Sequence, residues 1–279
     1  CYAERKRLVN NLPEDMPRIN TYCDQIGIYE KNAVWYLTSA SEREEYELAK
    51  CLSIYNYSKE ELRAILRHGF PELERYFTVF TFDAVNTKLP ESDIAFRSDL
   101  TFYFEQYKMQ KLTNRIYPDF LETVNSQAQS RPFMKLQPRS SIVSKVEKAK
   151  AGVFFFDALG VEYLAFIQAK CENYGLISEV SVGRCELPSI TSTNKEFEIT
   201  CSNVKKISEL DELKHHSVNY DYTVCPYPIH IFRELEIIDV ELRRIASQLS
   251  QGLMEKAIMK AEHRNLLSFK DCYPSLKRT

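Results

Sequence analysis

Three short stretches of this chain carry side chains able to do chemistry. The first is Asp157, directly after the apolar run Gly152-Val-Phe-Phe-Phe156. A carboxylate at the end of a buried strand is a hard ligand for a divalent metal. It is also a preferred cap for a helix that follows, and both readings stand. The second stretch is Cys185-Glu-Leu-Pro-Ser-Ile-Thr191-Ser-Thr-Asn194-Lys195. The hydroxyl of Thr191 becomes a good nucleophile where a metal lowers its pKa. The Asn194 amide and the Lys195 ammonium suit the oxygens of a phosphoryl group. The same text also reads as a Ser/Thr-rich turn without chemistry. The third is Lys256-Ala-Ile-Met-Lys-Ala-Glu262-His263, an acid and an imidazole at a strand end, able to reach a metal beyond a sheet edge or to form an exposed polar pair. Asp221 and His230 could complete a metal site, and His215-His216 is a further candidate. His68, at a helix end among aromatics, reads as structural.

The elements that must position these groups change character along the chain. Residues 1 to 130 read as a helical domain. Ser39-Ala-Ser-Glu42 has capping-box spacing before a helix to about Tyr55, and Ser58-Lys-Glu-Glu61 starts another that stops near His68-Gly69-Phe-Pro71. Asp99 to Arg115 and Phe120 to Ala128 have helical apolar spacing. Pro132, Pro138 and Ser140-Ser141 mark a linker over 131–148. From 149 to 279 the text alternates. Gly152–Phe156 reads as a strand buried on both faces, Leu159–Tyr174 as a helix ended by Gly175, and Leu176–Val182 as a second strand. Pro228–Gln251 reads as a long amphipathic helix, and Lys256–Met259 as a third strand. That order predicts an α/β fold: a mainly helical N-terminal region followed by a sandwich core on a parallel sheet.

Composition narrows the classes. A hydrophobic share of 44% with 27% charged residues suits a soluble globular protein, and a net charge of −2 sets up no global field toward nucleic acid. Lys108, Lys111 and Arg115 would nevertheless form a basic stripe on one helix face, either solvated or able to meet DNA. Eight scattered cysteines without CxxC spacing read as reduced thiols in a cytoplasm. No signal peptide is evident, and the most apolar segment is broken by Asp157 and Glu162, so no membrane span is expected. The start at Cys1 and the seven glycines read as a fragment of something longer.

The order Asp, Thr, acid-His resembles the alkaline phosphatase superfamily, whose phosphodiesterase branch has Pro-Ser-x-Thr with Asn three residues on, as in Pro188-Ser-Ile-Thr191 and Asn194. Longer strings resemble PglZ-domain proteins of BREX phage-defence systems, type 4 in form. These are Phe155-Phe-Asp-Ala-Leu-Gly-Val-Glu-Tyr163, Gly183-Arg-Cys-Glu-Leu-Pro-Ser-Ile-Thr191, Pro228-Ile-His with Arg233-Glu-Leu-Glu-Ile-Ile-Asp239, and Phe102 to Asn114 in the helical half. The resemblance implies an alkaline-phosphatase-like αβα core binding two divalent metal ions, zinc. Asp157 would be a ligand, Thr191 a ligand and the nucleophile, and Asn194 the holder of a developing oxyanion. Glu262 and His263 fall where the family has Asp-His-Gly; here the acid is Glu and Arg264 follows. A later metal-binding His has no evident counterpart. The implied activity is that of a phosphatase or phosphodiesterase acting on a phosphorylated or nucleotide-like substrate beside other BREX proteins. The altered third motif keeps open a catalytically weak scaffold.

Overall fold

The computed structural model describes residues 16–78, 94–143, 151–157, 159–186, 193–194, 204–209, 219–220, 223–224, 228–252 and 256–261. The first part is helical, as its apolar spacing predicts. Helix α1 spans Met16–Ile26 and runs into a 3-10 segment over Gly27–Tyr36. Helix α2 spans Glu42–Ile54. Its cap lies two residues beyond the predicted one: Ser41, not Ser39, accepts from the Glu44 N–H. The Glu44 carboxylate explains the shift, because it turns back to accept from Thr38 N–H, Thr38 Oγ1 and Ser41 Oγ and is buried there.

Helix α3, Lys59–Gly69, opens on the predicted capping box. Ser58 Oγ accepts from Glu61 N–H and the Glu61 carboxylate from Ser58 N–H. Ser58→Ala is expected to destabilise the fold by about 1 kcal/mol in chemical denaturation; an unchanged midpoint would show the box to be idle. Pro71 does not stop the chain but sits at the first position of helix α4, Pro71–Phe77, where its missing N–H costs nothing. Helices α5, Ile94–Thr113, and α6, Pro118–Ser130, follow. Within the predicted linker region a 3-10 turn at Pro132–Lys135 precedes a short helix α7, Arg139–Val143.

Strand β1, Ala151–Phe156, is central in a small parallel sheet. Its side chains alternate between two covered faces, which is why it reads as an unbroken apolar run. Phe154 and Phe156 point into the main core, and the Arg244 guanidinium lies 5.1 Å above the Phe154 ring. Helix α8, Leu164–Asn173, follows, and Gly175 at φ 70° takes the left-handed turn that ends it. Leu176–Val182 is not a strand. Leu176, Val180 and Val182 pack part-buried against the hydrophobic clusters while Ile177 is 98% exposed, and the segment joins no sheet.

The second strand of the sheet is instead β2, Val204–Ile207, a segment whose two lysines hide it from hydropathy. A two-residue hairpin, β3 Asn219–Tyr220 with β4 Thr223–Val224, precedes helix α9, Pro228–Ser250, which ends at Gly252. Strand β5, Lys256–Ala261, completes the order β2-β1-β5, with both neighbours parallel to β1. The chain is thus mainly helical around one small parallel sheet. The two stretches separated at 131–148 pack together: Phe70 meets Phe232, Tyr76 meets Tyr163, and Lys170 reaches both Glu72 and Asp239. A second, smaller cluster joins Phe104 and Phe120 to Leu164.

Candidate active site at the carboxyl edge of the sheet

The topology singles out one edge. From β1 the chain builds β2 on one side, then crosses back through α9 to build β5 on the other. Strand order therefore reverses between β1 and β5. In open parallel sheets the crevice at the carboxyl ends of such a pair is where ligands bind. Asp157 is the first residue past β1 at that edge and is 5% exposed. Its N–H extends the ladder by donating to Ile207 O at 3.0 Å, so the backbone carrying the carboxylate is fixed. Its Oδ2 lies 2.7 Å from Lys206 Nζ on β2. Asp157 caps no helix: the 3-10 turn at Val161–Tyr163 is preceded by Gly160, and α8 by Tyr163. Strand β5 ends one residue before Glu262, with Ala261 beside Phe156.

The turn after Asp157 is held by buried polar groups. A Cβ on Gly160 would collide with the Glu162 carboxylate, which folds back over the turn. The Tyr163 hydroxyl donates to Glu234 Oε2 on α9, and both residues are buried. Burial, reinforced by Glu234, pushes the Tyr163 hydroxyl well above the usual tyrosine range. Lys108 on α5 has 0% exposure; its ammonium donates to Thr78 O at 2.9 Å and lies 5.3 Å from the centre of the Tyr76 ring. Burial pulls that ammonium down to about 7, opposed by the attraction of Glu162.

The loop carrying Thr191 is pinned at its base. Asn194 Oδ1 accepts from Glu186 N–H at 2.8 Å, and Asn194 Nδ2 donates to Glu186 O at 3.2 Å. The amide thus ties Glu186 to Asn194 across the base of the loop. Arg139 donates to Asn194 O at 3.4 Å, while its backbone pairs with Arg184 across the Pro138–Arg184 bridge. The stretch read as a linker therefore supports this loop, which leaves a bridge at Arg184 rather than the strand predicted before it. His230 is half-buried on α9; burial lowers its pKa, against the pull of Glu234 and with the push of Lys111. The His68 ring lies 5.8 Å from the Trp35 ring, on the exposed side of α3.

Thr191, Lys195, Asp221, Glu262, His263 and His215-His216 lie outside the described residues. Among the described residues no three His, Cys, Asp or Glu side chains gather as a metal-binding group. Asp157 itself fits a cation in chemistry, being a buried carboxylate at the edge that already attracts an ammonium. The basic stripe is overturned. Lys108 is enclosed, Lys111 lies over the Tyr107 ring at 5.1 Å, and Arg115 donates to Ser53 O and Asn56. Lys206, Glu162, Tyr163, Glu234 and Arg139 were not legible as site residues.

Residues 1–55 match a family model described as a domain of unknown function, DUF7863. No curated protein and no solved structure matches the chain.

Proposed function

We propose that this chain is a metal-dependent phosphoric ester hydrolase domain of the PglZ type, with an alkaline-phosphatase-like core, acting in phage defence beside other BREX proteins. The observation that carries the reading is Asp157. It is a buried carboxylate with a fixed backbone, at the switch point of a parallel sheet, next to the strand that leads to Glu262-His263. Asp157, Thr191, Asp221, His230, Glu262 and His263 would hold two divalent ions, zinc. Such ions would lower the pKa of the Thr191 hydroxyl and neutralise charge on the phosphoryl oxygens. Thr191 Oγ1 then forms the bond to phosphorus as the ester oxygen leaves, and water hydrolyses the phospho-threonine. Lys195 and Asn194 would orient the phosphoryl oxygens.

Hydrolysis of bis(p-nitrophenyl) phosphate with added zinc tests the reading. Wild-type turnover that vanishes in Thr191→Ala is expected; equal turnover by both proteins sinks it. A scaffold without turnover is favoured by one observation: the Asp157 carboxylate is already matched by Lys206. Purified protein that holds no stoichiometric zinc and gains no thermal stability from it would support the scaffold.

A further inference from the structure

A carboxylate 1% exposed, as Glu234 is, carries a desolvation cost that an apolar side chain of the same size avoids. Packing alone does not explain it. Its partner Tyr163 is the sixth residue after Asp157, and the bond between them ties the turn to α9 across 71 residues of chain. On its other side the Tyr163 ring lies 5.5 Å from Tyr76, which belongs to α4 and sits under the Lys108 ammonium of α5. Between the two, the Glu162 carboxylate closes over Gly160 and would have to move to admit a side chain there. The turn is thus gripped from α4, α5 and α9 at once, immediately behind Asp157.

We infer that Tyr163 and Glu234 are a positioning pair: their buried hydrogen bond fixes the turn at 159–163 and so the direction of the nearby Asp157 carboxylate. The consequence for catalysis rests on the hydrolase reading above; the grip on the turn does not. A pair that only stabilises the fold can be replaced by apolar groups of similar shape at little cost. A positioning pair cannot.

Amide hydrogen exchange over residues 156–164, read beside thermal unfolding, separates the two. Tyr163→Phe is expected to speed exchange in this segment about tenfold relative to α2, as losing one buried hydrogen bond would. Glu234→Gln, which keeps an acceptor, is expected to hold protection. The double variant Tyr163→Phe/Glu234→Leu is expected to regain the melting temperature but not the protection, and it remains informative if the single variant fails to fold. Protection that returns with the melting temperature in the double variant overturns the inference, as does wild-type exchange in Tyr163→Phe. With zinc and bis(p-nitrophenyl) phosphate, kcat of the double variant falls while KM holds. If the wild type neither binds zinc nor turns over, the hydrolase reading fails while the exchange result still decides the pair.

Discussion

Asp157→Asn is expected to remove zinc-induced thermal stabilisation and to lower kcat by about a thousandfold, roughly 4 kcal/mol of transition-state stabilisation, with little change in the melting temperature of the metal-free protein. The small stability effect follows from the partners. Lys206 is half exposed, so its ammonium hydrates once the carboxylate is gone; a screened pair of this kind contributes at most about 1 kcal/mol. The Asp157 N–H keeps its bond to Ile207 O whatever the side chain, and Asn fills the same volume. The melting temperature measured on the same protein separates a loss of activity from unfolding. Lys206→Met supplies the opposite sign. It removes the ammonium that competes for the carboxylate, and zinc affinity measured by calorimetry should rise several-fold. If Asp157→Asn binds zinc and turns over like the wild type, Asp157 is a structural ion-pair partner only. If neither protein binds zinc, the scaffold gains.

What could be read in advance was set by how each residue meets solvent. Phe154, Phe155 and Phe156 are buried on both faces of a central strand, so composition alone marks β1, and Asp157 follows by counting. The capping box at Ser58 is local and equally plain. β2 was hidden because Lys205 and Lys206 place exposed charges on an edge strand, and only its pairing to β1 makes it a strand. Leu176–Val182 shows the converse: β-prone residues without a neighbouring strand to pair with pack against the clusters as irregular chain. Lys108 and Glu234 defeat sequence reasoning most fully, since long charged side chains are seldom enclosed. Their burial depends on helices from opposite ends of the chain closing over one turn. Asn194 was singled out for its amide, and the amide is engaged across the loop base, a contact set by Arg139 and Glu186 rather than by spacing.

The enclosed lysine carries the second large effect. Folding holds the Lys108 ammonium down to about 7 against an ordinary value of 10.5, chiefly by burial. Between pH 7 and pH 9 the unfolded chain therefore binds more protons at this site than the folded one. Stability must rise with pH across that window, by about 2 kcal/mol for this single group. The other strongly shifted groups do not mimic it. Burial raises the Cys51 thiol to about 11 and the Cys23 thiol to about 12 from 9.0, so folding favours their protonated forms and stability falls only above pH 9. Lys108→Met keeps the aliphatic stem and removes the titrating group. It also forfeits the bond to Thr78 O, about 1 kcal/mol, and the attraction to Glu162. The informative quantity is accordingly the slope and not the absolute stability. Denaturant midpoints at pH 7, 8 and 9 should climb in the wild type and stay level in Lys108→Met. Parallel profiles would mean that Lys108 stays charged in the folded state. A level profile in the variant beside a climbing one in the wild type would assign the pH dependence to the enclosed Lys108 ammonium, which must carry its charge without water as pH falls toward 7.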